Sequence, residues 1–195
     1  MHKSILPPVG LSESEEDSLP LLVRVYENAG PHKLALFIGN EVAANNASLL
    51  QEAGITSTIN IAINRYLPPL NLTDGTAIRR TQIGLIDGHG NHPMHLAAAV
   101  MALYGVLDQD SPGKPHYPAH KRGNVLVNCR GGRSRSLTVL ALYLHWTDEA
   151  RFPTLDEAIN HIRILRRMSD THPLPGMIAL AKQARTLLPE FAEYS

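Results

Sequence analysis

One cysteine, Cys129, is all the chain contains, so no intramolecular disulfide can form, which fits a reducing compartment. Charge of neither sign is in excess: Lys+Arg and Asp+Glu each number 18, for a formal net charge of zero. A nucleic acid or an anionic membrane therefore meets no global attraction, and any preference for anions has to be local. Long apolar runs are missing too. No stretch reaches the ~18 residues of a membrane span. Met1 to Gly10, interrupted by Pro7 and Pro8, lacks the apolar segment of a secretory leader. These absences predict a cytoplasmic protein with no membrane span and no nucleic-acid partner.

What is present suits one domain. Hydrophobic residues make up 44% of 195, enough for a core. Residues 1–20 are polar and acidic, with Ser12-Glu13-Ser14-Glu15-Glu16-Asp17, and predict a loose lead-in to a domain over 21–195. Leu34 to Gly39 predicts a short buried strand. Asn40 suits the N-cap of a helix over about 41–53, and Gly54 is placed to end it. Ile55 to Ala62 and Thr81 to Ile86 predict two further strands, with Pro68, Pro69 and Asp74-Gly75 in the loop between them. A helix is expected over His95 to Leu107. An exposed, basic loop over 108–123 follows, then the strand Val125-Leu126-Val127. The stretch from Ser134 to Trp146 is apolar nearly all round and predicts a buried helix. Thr154-Leu155-Asp156-Glu157 is a capping-box pattern opening an amphipathic helix to about Met168, and Pro173 to Leu188 closes the chain as a last helix. Alternation of strands and helices predicts an α/β fold, a single domain with a central four- or five-stranded, mostly parallel sheet flanked by helices.

The chemistry lies in Asn124-Val-Leu-Val-Asn-Cys129-Arg-Gly-Gly-Arg-Ser-Arg135-Ser136. A strand ends at the cysteine, and a helix begins a few residues later. Gly131 and Gly132 let the backbone between them curl tightly, and successive N–H groups in such a curl converge on an anion. The helix N-terminus adds unpaired N–H groups and partial positive charge. Arg130, Gly131, Gly132, Arg133, Ser134 and Arg135 thus form a candidate phosphate loop. The same field favours a thiolate, making Cys129 a candidate nucleophile. The planar fork of Arg135 can hold two phosphate oxygens through the transition state. The Ser136 hydroxyl can hydrogen-bond the sulfur as it leaves. A buried cysteine with a chance arginine downstream is the plainer alternative; the strand, paired glycines, Ser-Arg-Ser and buried helix argue against it.

This segment resembles the signature of the protein-tyrosine phosphatase superfamily in its dual-specificity branch. It is closest to the form Cys-x-x-Gly-Arg-Ser-Arg-Ser, found in atypical members and in a mitochondrial-type phosphatidylglycerophosphate phosphatase. The resemblance extends over about residues 34–185, through Leu36 to Asn40, Ala43-Ala44-Asn45, Gly54-Ile55, Asn60-Ile61-Ala62, and downstream Glu157-Ala158-Ile159. It implies hydrolysis of a phosphorylated protein or small phosphorylated substrate through a phosphocysteine, with no cofactor and no metal. It also implies a general acid upstream of the signature, for which Asp87 stands at the matching place; a turn-forming Asp-Gly is the plainer reading. Where the family usually has His before the cysteine, this chain has Asn128, so a phosphatase-like binding module is a second hypothesis. Arsenate reduction by a similar loop is a third, but such proteins carry the loop near the N-terminus.

His89, His92 and His95 lie three apart near Asp87 and raise a metal site, against which Pro93 breaks the helical face. Arg163, Arg166 and Arg167 read as solvated charges complementing a helix C-terminus. For Arg130 and Arg133 two readings stand side by side: solvent-facing loop side chains, or a preference for substrates carrying extra negative charge.

Overall fold

The computed structural model describes residues 4–190. In chain order the elements are α1 (Glu13–Asp17), β1 (Leu22–Ala29), β2 (Leu34–Gly39), α2 (Glu41–Ala44), α3 (Ala47–Glu52), β3 (Ile55–Ala62), β4 (Arg79–Leu85), α4 (Pro93–Val106), β5 (Asn124–Asn128), α5 (Ser134–Thr147), α6 (Leu155–Arg166) and α7 (Pro175–Arg185). The five strands form one sheet in the order β1-β2-β5-β3-β4. Only β1 runs antiparallel; β2, β5, β3 and β4 are parallel. The α/β domain expected from the alternation is therefore present with five strands.

The connections explain the layers. From β2 the chain steps past the β5 position to β3 through α2 and α3; from β4 it returns to β5 through α4. Right-handed crossovers taken in opposite directions put their helices on opposite faces of the sheet. One face carries a small cluster of Leu49, Leu50, Ala53 and Ile55 with Phe37 and Leu126. The other carries the main core, where α5 is buried from Ser134 to Leu144 among α4, α6, α7 and the sheet. Each fully buried leucine or valine there contributes about 1.5–3 kcal/mol, so α5 is a rigid post. At its N-terminus, beside the C-terminal end of β5, lies the crevice where open α/β sheets bind ligands.

Three expectations are corrected. The helix over 41–53 is two helices, because Asn46 turns its side chain back onto Leu49 N at 3.0 Å and caps a new start. The lead-in is not loose: Ser12 and Glu15 make a reciprocal capping box, and α1 docks its carboxylates on arginines of the domain. Arg166 is not solvated; it occupies the buried stripe of α6 after Leu155, Ala158, Ile159 and Ile162, while Leu165 turns outward. Arg163 is tied to the His172 and Asp170 carbonyls, and Arg167 ends the helix in the left-handed conformation. β1, which had no counterpart in the sequence reading, adds an edge strand with two register shifts. No helix among the described residues is long and apolar enough to cross a membrane.

Candidate active site

β5 delivers Cys129 to the sheet's C-terminal edge, and the chain then wraps into α5. Gly132 has φ +63°, and a Cβ there would lie 2.7 Å from the Gly39 carbonyl oxygen, so neither the conformation nor the space admits a side chain. At Gly131 the obstacle is different: a Cβ would run into the Asp17 carboxylate and the Arg133 guanidinium, which cross over it. The loop is also tied to its neighbours by Glu41 N, which donates to the Arg130 carbonyl at 3.2 Å. No described side chain caps α5, so its first N–H groups have no side-chain acceptor at the end of the helix that lines the crevice.

Cys129 is buried, and its Sγ lies 3.4 Å from Ser136 Oγ. Arg135 is buried as well. Its Nη1 donates to the Leu85 carbonyl at 3.3 Å, and its Nε lies 3.4 Å from Asp87 Oδ2, an ion-pair distance without hydrogen-bond alignment. Cys129, Arg130, Gly131, Arg133, Ser134, Arg135 and Asp87 line one cavity of about 380 Å³. A buried thiol, a glycine-containing loop, a guanidinium and a carboxylate sharing one cleft can hold a tetrahedral anion and exchange a proton with it.

Gly132, where a Cβ would meet the Gly39 carbonyl, and Ser136, held at the sulfur, complete the loop without lining the cleft. The Ser134 hydroxyl is used elsewhere, accepting from Leu174 N at 3.1 Å and so fixing the chain entering α7. Asn128 is buried and donates to Asn60 Oδ1 at 3.4 Å, extending a polar string through Asn60 to Gln82 beneath the site.

No family model matches the chain. Among curated proteins, the human dual specificity protein phosphatase 2 is 29% identical over 160 residues, 81% of this chain and 44% of that protein. The bovine dual specificity protein phosphatase 26 is 30% identical over 129 residues, 66% of this chain and 54% of that protein. The chain thus spans about half the length of these relatives. A crystal structure of a mouse putative dual specificity phosphatase complexed with zinc tungstate superposes with a TM-score of 0.62 at 24% identity, covering 93% of this chain and 94% of that one. The chain is similar in sequence to dual specificity protein phosphatases and shares their fold.

The cleft also includes groups that the motif does not contain. Ile63, Asn64 and Ile86 form part of its wall, and Glu13 and His172 stand at its rim. Asn91 holds the loop bearing Asp87. Its Oδ1 accepts from Ile86 N at 2.8 Å, and its Nδ2 donates to the Ile86 carbonyl at 2.8 Å and the Gly88 carbonyl at 3.2 Å. An asparagine next to Gly-His-Gly carries a turn signal but no sign of this bracing role. The three histidines part company: His92 Nδ1 accepts from Met94 N and starts α4, while His89 lies near Gly176. Among the described residues, no group of three His, Cys, Asp or Glu side chains is arranged to hold a metal ion.

Proposed function

We propose that this chain hydrolyses phosphomonoesters through a phosphocysteine on Cys129, acting on phosphotyrosine, phosphoserine or phosphothreonine proteins or on another anionic phosphomonoester. The observation that carries the reading is the shared cleft of Cys129, Arg135 and Asp87 at the end of a buried helix with no side-chain cap. Sγ attacks phosphorus in line with the ester oxygen. The S–P bond forms as the P–O bond breaks, and Asp87 gives its proton to the departing oxygen. The loop amides and the Arg135 fork hold the three equatorial oxygens and their charge throughout. Water then attacks phosphorus, Asp87 takes its proton, and Sγ leaves with the Ser136 hydroxyl as its hydrogen-bond donor. Cys129 and Ser136 are already within reach of one another, which supports that last role.

Cys129→Ser tests the nucleophile, because a serine hydroxyl is not ionised at neutral pH. The variant is expected to lose hydrolysis of a small aryl phosphate by at least about a thousandfold while still binding phosphate through Arg135 and the amides. Vanadate, which adopts the trigonal-bipyramidal geometry of the transition state, should inhibit the wild-type protein. Substantial turnover by purified Cys129→Ser would remove Cys129 from the mechanism.

A further inference from the structure

The two arginines of the loop that do not clamp phosphate are paired with carboxylates of α1. Asp17 lies across Gly131 and meets both: Oδ1 accepts from Arg133 Nη2 at 2.6 Å, and Oδ2 lies 2.7 Å from Arg130 Nη2. Glu16 Oε2 joins Arg133, at 3.4 Å from Nη1, to the buried Arg166, at 2.9 Å from Nη2. Burial pulls the Arg166 guanidinium below its ordinary value, and Glu16 opposes that pull. Glu13 completes the row, 3.4 Å from Arg133 Nη2 and 3.7 Å from His172 Nε2, and it remains largely solvent-exposed.

Beside the main cleft lies a smaller cavity of about 140 Å³. It is lined by Arg133, Arg166, Arg167 and His172, and by Glu13 and Glu16. Its cationic side chains are those that would receive a second phosphate next to the first. Two of the three arginines, however, already hold carboxylates of α1, and Glu13 lines both cavities. A second phosphate arriving there would have to displace a carboxylate or lie against it, and like charges at that range repel.

We propose that α1 is a charge filter: Glu13, Glu16 and Asp17 cancel the accessory arginines, so the site selects an isolated phosphomonoester and disfavours one with a second phosphate beside it. This rests on the phosphatase reading and deepens it by naming a substrate class. Of the two readings of Arg130 and Arg133 open in the sequence, α1 removes the preference for extra negative charge and also the solvent-facing one for Arg133.

The test uses a phosphotyrosine peptide and the same peptide with a phosphothreonine two residues away. The readout is the ratio of kcat/KM for the doubly to the singly phosphorylated form. Wild type is expected to give a ratio below one. Glu16→Gln and Glu13→Gln should each raise it, by about fivefold to tenfold at low salt, and the gain should shrink as ionic strength is raised. A purely structural role for α1 would lower turnover of both peptides and leave the ratio and its salt dependence unmoved. Glu13→Gln guards against a folding defect in Glu16→Gln, since Glu13 is exposed. The same ratio is read as Kd in a Cys129→Ser background. Absence of turnover in wild type would then overturn the hydrolysis reading while the charge filter is still measured. A wild-type ratio above one, or an unchanged ratio in both variants, would overturn the filter.

Discussion

Gly132 shows how tightly a single residue constrains the loop. Its left-handed backbone disfavours any L side chain, and the Gly39 carbonyl fills the place of a Cβ. Gly132→Ala should therefore lower stability by about 1–3 kcal/mol, read as an earlier urea midpoint. It should also weaken phosphate binding, because the loop has to open to relieve the contact. A midpoint unchanged from wild type would mean the loop relaxes without cost. At this scale the sequence was most informative where chemistry is local. Cys129, Arg135, the paired glycines and Ser136 share one strand–loop–helix unit, so their spacing alone implies their proximity. Asp17, Asn91 and His172 reach the site through tertiary packing, and nothing in their own neighbourhoods announces it. The need for Gly131 to be small was legible as a tight turn; the Asp17–Arg133 pair that crosses it was not.

Among the elements, the loop from Ile86 to Asn91 depends most on one side chain. Asn91 ties both backbone groups of Ile86 and the Gly88 carbonyl, so Asp87 is held between two fixed points. Asn91→Ala should free that loop and misplace Asp87, the proposed general acid. Its signature is selective: hydrolysis of an alkyl phosphate, whose leaving oxygen needs a proton, should fall about tenfold to a hundredfold. Hydrolysis of an activated aryl phosphate should fall much less. Equal losses on both substrates would assign Asn91 to general stability and not to positioning. The parallel strands and α4 to α7 were readable because their apolar runs or periodicities are long, and α6 also has an explicit cap. Thr154 and Glu157 form the capping box expected of them. α1 carries the same box in Ser12 and Glu15, but it has no apolar face, and its docking is electrostatic, so composition pointed to a loose segment. The split between α2 and α3 turns on whether Asn46 continues a helix or caps one, and Leu49 N decides it. β1 escaped notice because its register shifts break the strict alternation of an edge strand.

Over the whole molecule, zero net charge conceals a sorted distribution, with carboxylates of α1 laid on the arginines around the cleft and the phenols of Tyr26 and Tyr143 drawn into the core. Tyr143 on α5 is fully buried, and burial holds its phenol well above the ordinary tyrosine range. Tyr26 on β1 is raised likewise, first by burial and then by its 2.7 Å hydrogen bond to Asp148 Oδ2. A phenol whose folded-state value is raised binds its proton more tightly in the folded chain than in the unfolded one. The stability it contributes is therefore intact below the unfolded value of about pH 10 and is lost as pH climbs above it. Melting temperature should hold nearly level from neutral to about pH 9.5 and then fall steeply. Tyr26→Phe with Tyr143→Phe keeps both rings packed while removing both titrating protons. The double variant should melt lower than wild type at neutral pH, because Asp148 Oδ2 loses its donor, and should lose less further stability above pH 10. Lysines and surface charges are the same in both proteins and cancel in the comparison. Parallel losses in the two proteins across that alkaline range would show that the buried phenols do not set the limit, and that charge elsewhere on the molecule does.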